Sequence, residues 1–370
     1  MNVPKLNPMT TMKFFPKNQI ASATKSIFFA AFFALICCNA SFAQKRLVLM
    51  HNGQASVYSV FDSLKAHIQT GDTIYFPGAG YNIGDWSITK TVTIFGVGHY
   101  PDSTVATGTS YLNGNIIIKT GANNTFIQGT YLNGNITFGS DATNQTVNNI
   151  TISRCNFNDL RLSHNGSAIT TSNNIVIRDN VIRGGALMGG YATNVLIVNN
   201  IIQSVMQCFD NTLFKNNIHM RYFCGGGPLI NINNSSFQNN VMIYGYGNCS
   251  GQYFMSNGNT NDFQNNAFNN TITFPDGSNT GSGNWNAINL ATFFVNQSGW
   301  TFSYSHNYHL QAPGTYVGTD GTQIGIYGST IPYKDGAVPI NPHIQMKTIA
   351  PTTNTNGELN INIKVAAQNN

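Results

Sequence analysis

Three cations are spread through the middle of the chain: Arg154, Arg178 and Lys215. His219, Arg221 and Tyr222 follow closely. Arginine offers a planar fork of donors that matches a carboxylate or sulfate, and lysine offers a compact charge. A base beside such cations is what proton abstraction next to a carboxylate requires. Arg178, Lys215, His219 and Arg221 are therefore the candidate catalytic residues, for an elimination at a uronic acid. Arg154, Arg178, Lys215, Arg221 and Tyr222 are the candidates for binding an extended acidic polysaccharide, with the Tyr222 ring against a sugar face.

Other chemistries find little material. Glu358 is the single Glu, and Asp159, Asp179 and Asp210 read as turn residues. No pair of acids is spaced for glycoside hydrolysis. No acids gather as a calcium site needs, so calcium is unsupported and neither a metal nor a cofactor is expected. His306 and His309 are three apart and lack a third ligand. Whether the protein is an enzyme stays open, with a polysaccharide lyase ahead of a hydrolase. The alternative is a non-catalytic structural or adhesive protein of the cell surface or matrix.

The cations sit on a repeat. Asn149-Ile150-Thr151-Ile152, Asn174-Ile175-Val176-Ile177 and Asn194-Val195-Leu196-Ile197 each run into a second Asn. The closing Asn falls at Asn156, Asn180, Asn200, Asn217, Asn240 and Asn266, so the steps are 24, 20, 17, 23 and 26 residues. A period in this range marks stacked coils. Each copy is a β-branched run bounded by turn residues, which is a strand signal. Stacked coils lie about 4.8 Å apart, so an Asn at one angular place can bond the Asn of the next coil. These six Asn residues are the expected ladder.

The repeat resembles the right-handed parallel β-helix of the pectate-lyase-like superfamily, over about residues 70 to 300. The resemblance implies an all-β chain: one right-handed parallel β-helix, a short N-terminal capping helix and an irregular C-terminal segment. It implies little about activity, since that fold hosts lyases, hydrolases and adhesins. The Arg-x-x-Pro-x-x-Arg pattern of pectate lyases is not present. Gly318-Thr319-Asp320-Gly321 and Ile324-Gly325-Ile326-Tyr327-Gly328 resemble the closing segment of secreted β-helix proteins of the Bacteroidetes type.

Residues 1–43 read as a signal peptide. Lys13, Lys17 and Lys25 precede an apolar run from Ile27 to Cys38, and Ser41-Phe42-Ala43 suits cleavage. Secretion is expected, ahead of lipid anchoring at Cys38, and no stretch suits a membrane span. The formal charge is +5, from 18 basic and 13 acidic residues. Lys5, Lys13, Lys17 and Lys25 belong to the leader, which leaves 18 − 4 = 14 basic residues and a net charge of about +1. A nucleic-acid partner is therefore not expected, and a polysaccharide or cell-surface glycan is. Nothing in the sequence sets an oligomeric state.

The β-helix with its cap should span 44–305 and a closing segment 306–370. A helix is expected over 57–70, with Val57, Val60, Phe61, Leu64 and Ile68 on one face. The stretch from His99 to Leu112 reads as a loop thrown out from the stack. Phe293-Phe294-Val295 and Trp300-Thr301-Phe302 read as terminal coils, and residues 359–365 as a last strand. Cys208, Cys224 and Cys249 lie 8, 7 and 9 residues past the ladder Asn of their coils (208 − 200, 224 − 217, 249 − 240). One bridge is expected among them, with Cys208–Cys224 as first choice, or else a file of reduced thiols.

Overall fold

The computed structural model describes residues 46–140, 143–163, 168–247 and 253–369. The leader, His164 and Cys249 lie outside the described residues. The chain is a parallel β-helix. A 12-stranded sheet begins with Gln54–Tyr58 and Leu47–His51, paired antiparallel, and continues in parallel from Asp72–Phe76 to Thr280–Ser282. The other faces of the coils form a 15-stranded sheet, joined at Ser110–Ile118.

Alternation sets what goes inside. In Thr170–Arg178, Ile175 and Ile177 are buried while Val176 between them is partly exposed. Parallel register then stacks like on like. Ile74, Ile94, Ile127, Ile152, Ile177 and Ile197 form one file, each paired with the next. Phe214, Phe237 and Phe263 continue it. Their rings stack at 4.5 Å with planes 5° and 6° apart. Offset and edge-on packing are the usual aromatic preferences; here the strand spacing imposes parallel rings.

The Asn ladder is present and shifted by one residue at its start. Asn180, Asn200, Asn217, Asn240 and Asn266 each donate from Nδ2 to the Oδ1 of the next rung, at 2.9–3.2 Å. Each Oδ1 also accepts the backbone N–H of the rung before, as between Asn180 and Asn200 at 2.9 Å. The last rung is Asn284, which the repeat did not reveal. Asn156 is not a rung. A rung follows a left-handed residue, and in that coil the left-handed residue is Arg154 (φ 50°), so Cys155 takes the place. Its N–H donates to Asn180 Oδ1.

The capping helix is shorter than expected, Phe61–His67. Val57 belongs to the strand Gln54–Tyr58, and both Val57 and Val60 are exposed. Strand pairing with Leu47–His51 overrides the helical periodicity. Phe61 and Leu64 do enter the core, Phe61 against Phe76 and Trp86.

The chain after the stack makes a second core. Val181, Ile201, Ile218, Val241 and Ala267 form an outward apolar file on consecutive coils. Ile288, Phe293, Phe294, Tyr308, Ile324, Ile326 and Tyr333 cover it. Phe294–Asn296 is therefore not a coil; it pairs antiparallel with Asn307–Leu310 outside the stack. The last strand, Ile361–Ala366, does not lie along the stack either, and pairs antiparallel with His343–Ile349.

Candidate functional site

Two of the cations expected to hold a glycan, Arg154 and Lys215, hold the protein's own C-terminal segment. Arg154 is 1% exposed. It donates from Nη1 to Val338 O and Gln368 O, each at 2.8 Å, and from Nη2 to Asn369 O at 2.9 Å. Arg178 donates from Nε to Asp179 Oδ2 at 3.0 Å. Lys215 is paired with Asp320 at 2.8 Å. The corner residues of the other coils act alike. Asn265 Nδ2 donates to Val317 O, Asn239 Oδ1 accepts from Thr319 N, Asn216 Nδ2 donates to Gly325 O, and Asn199 Nδ2 donates to Ile331 O. Gln128 Oε1 accepts from Ile340 N. The segment thus descends the stack against coil order, bonding one corner after another. It occupies the strip assigned to a polysaccharide.

His219 is inside the core. Its Nε2–H donates to Ser204 O at 2.8 Å, and Nδ1 accepts the Tyr244 hydroxyl at 2.8 Å. Burial pushes its pKa down to about 3. A neutral imidazole enclosed in this way has no contact with an external substrate. Arg221 and Tyr222 stay at the surface, on a different face from Arg154 and Lys215. Arg221 Nη1 donates to Gln203 O, and Tyr222, 58% exposed, packs beside Trp300 with ring centroids 5.6 Å apart. Gly245 makes room for both rings, since a Cβ there would lie 2.5 Å from Trp300.

The disulfide is placed differently too. Cys224 is disulfide-bonded, whereas Cys208 and Cys155 are free. Counting from the ladder fails because coils distribute their residues unequally. Cys208 follows the strand Val205–Gln207 on one face, and Cys224 ends the long strand Ile218–Phe223 on another.

A cleft of about 400 Å³ lies between the expected loop and the C-terminal segment. Tyr100, Asp102 and Ser103 come from the loop. Tyr304, His306, Asn307, Tyr308, His309, Tyr327, Asp335 and Gln345 come from the segment. The loop is tied to the segment from several sides. Tyr333 donates to the Tyr100 hydroxyl at 2.9 Å, His343 Nε2 meets Ser103 O at 3.1 Å, and Ala106 N donates to Gln345 O. His99, fully buried, anchors the loop's start through Nδ1, 3.2 Å from the Tyr304 hydroxyl.

Inside the cleft Tyr327 donates to Asp335 Oδ1 at 2.6 Å, and its ring stacks on His309 with centroids 3.7 Å apart. His309 Nδ1 donates to Asn307 Oδ1 at 2.9 Å, which leaves Nε2 turned to Asp335 Oδ2 at 3.9 Å. Burial raises the phenols: Tyr100 is pushed up to about 12, and Tyr308 and Tyr327 stand well above their ordinary value. Burial lowers His306. The cleft therefore presents un-ionised phenols, a neutral His306, amides and the side chains of Asp102, Asp335 and His309. Aromatic walls with a few convergent polar groups suit a small polyhydroxyl ligand.

Among the described residues no three His, Cys, Asp or Glu side chains gather as a metal site would. Among them, too, no helix is long and apolar enough to cross a membrane. One local hint of the cleft is legible in the residues, the dense run Phe302, Tyr304, His306, Tyr308, His309. No family model matches the chain, and comparison with curated proteins and with solved structures returned no match. The β-helix rests on the coordinates, and the pectate-lyase-like likeness remains one of repeat pattern.

Proposed function

We propose that the protein is a secreted, non-catalytic β-helix that binds carbohydrate in the cleft between residues 100–103 and 304–345. The observation that carries this reading is the cleft's lining: Tyr100, Tyr308 and Tyr327 as walls, with Asp102, Asn307, Asp335 and Gln345 as polar groups. Its volume falls within the range of small-molecule sites. Export is supported by the leader pattern of residues 1–43. The non-catalytic part is supported by the pairing of Arg178 and Lys215 and by the enclosure of His219.

A glycan array followed by calorimetry tests it. Binding of at least one glycan is expected, weakened about tenfold or more by Tyr327→Ala. Loss of binding in Tyr222→Ala with no effect of Tyr327→Ala would move the site to the exposed Tyr222–Trp300 pair. New absorbance from unsaturated uronates on pectin or alginate would overturn the non-catalytic part. No binding across the array would sink the carbohydrate reading.

A further inference from the structure

We infer that the sugar held in the cleft carries a free amine, so that the ligand is a cationic amino sugar. This rests on the carbohydrate reading above and sharpens it. The sign of the cleft's charge carries the argument. Asp102 and Asp335 are its formally charged acids, and no lysine or arginine lines it. Asp102 has no hydrogen-bond partner among the described residues. Asp335 Oδ1 accepts from the Tyr327 hydroxyl, while the nearest partner of Oδ2 is His309 Nε2 at 3.9 Å. One carboxylate oxygen is thus oriented by a phenol and the other left to accept.

The aromatic groups agree in sign. The face of a phenol ring is the negative end of its quadrupole and attracts an ammonium. The buried phenols of Tyr100, Tyr308 and Tyr327 keep their protons, so the rings act as neutral aromatic groups and not as phenolates. An acidic sugar would meet two acidic side chains with no lysine or arginine in the lining to offset them. The polysaccharide first suggested by Arg154, Arg178 and Lys215 is therefore the wrong sign for this cleft. Arg154 and Lys215 are spent on the C-terminal segment, and Arg178 on Asp179 of its own coil.

Asp335 is 71% exposed on its side chain, so water and salt screen part of the attraction. The preference should be moderate and dependent on ionic strength. Calorimetry on the full protein with glucosamine, N-acetylglucosamine, glucose and glucuronate tests it. N-acetylation removes the charge and keeps the ring. Glucosamine should bind about tenfold tighter than N-acetylglucosamine or glucose in low salt, with a smaller margin at high salt. Asp102→Asn and Asp335→Asn should each shrink the margin, with unchanged melting temperature showing that the fold is intact. Equal binding of glucosamine and glucose would overturn the amine while leaving the carbohydrate reading standing. Preference for glucuronate would reverse its sign. Failure of all four sugars would overturn the amine, whereas silence across the whole glycan array is what would sink the carbohydrate reading.

Discussion

Lys215 Nζ lies 2.8 Å from Asp320 Oδ2, where the repeat alone suggests a carboxylate of a bound glycan. The carboxylate belongs to the chain itself. Burial would raise the Asp320 pKa, but hydrogen bonds from Lys215 and Thr322 outweigh it and hold the carboxyl below its ordinary value. Both side chains are about a quarter exposed, so the pair is worth roughly 0.5–1 kcal/mol. Lys215→Ala should lower stability by about that much in urea unfolding and leave glycan affinity unchanged. A large loss of affinity would return Lys215 to the binding site.

Arg154 should behave differently. Its guanidinium is buried, satisfies three carbonyls of the C-terminal segment and stands 3.9 Å from Asp179. Removing one partner of a buried charged cluster costs about 3–5 kcal/mol. Arg154→Ala should destabilise by that order, and limited proteolysis should then cut first after Val338. Wild-type proteolysis kinetics in the variant would contradict this.

The ladder should show a gradient. Asn217 is bonded from both sides, with its Nδ2 on Ile197 O and Asn240 Oδ1 and its Oδ1 taken by Asn200. Asn284 has a ladder neighbour on one side, Asn266. Each buried polar group left unsatisfied costs about 1–3 kcal/mol. Asn217→Ala should therefore cost about 3 kcal/mol or more, and Asn284→Ala about 1 kcal/mol. Equal denaturation midpoints for the two variants would show that the rungs do not act as a ladder.

Acid should unfold the protein earlier than its few carboxylates suggest. Burial lowers His99 and His219 from 6.5 to about 3. Between those values the unfolded chain binds more protons than the folded one, so stability rises with pH. The contribution is whole above 6.5 and is lost as pH falls toward 3. Melting temperature should drop steadily below pH 6.5, with a shallower slope in His219→Met. A flat profile from pH 7 to 4 would refute it.

The thiols should label in order. Cys155 is fully buried and Cys208 half-buried, and both are free. Iodoacetamide on the native protein should reach Cys208 before Cys155, and both should label on unfolding without reductant. Cys224 should label after reduction only. Peptide mapping by mass spectrometry checks each site. Labelling of Cys224 without reductant would remove the disulfide.

Some of this was legible in the residues alone. The short runs such as Ile175-Val176-Ile177 specify strands, and the Asn before the rungs Asn200, Asn217, Asn240 and Asn266 specifies a left-handed corner. Both signals act over a few residues, so they survive in the sequence as a period. Asn156 misled because residue type was followed where backbone conformation decides. The left-handed Arg154 puts Cys155 on the rung, and no local rule makes an arginine the expected residue there.

By itself the sequence determined that the chain winds into coils with like residues in files, because strand alternation and corner turns are local. Only the tertiary structure decided which outward file stays open to solvent. Residues 306–369 return along the corner and cover Arg154 and Lys215, and they meet Tyr100 to complete a cleft. That choice is made by burying the file of Val181, Ile201, Ile218 and Val241 under a distant segment. Contacts between residues so far apart in sequence leave no periodic trace, so the cleft could be found from coordinates alone.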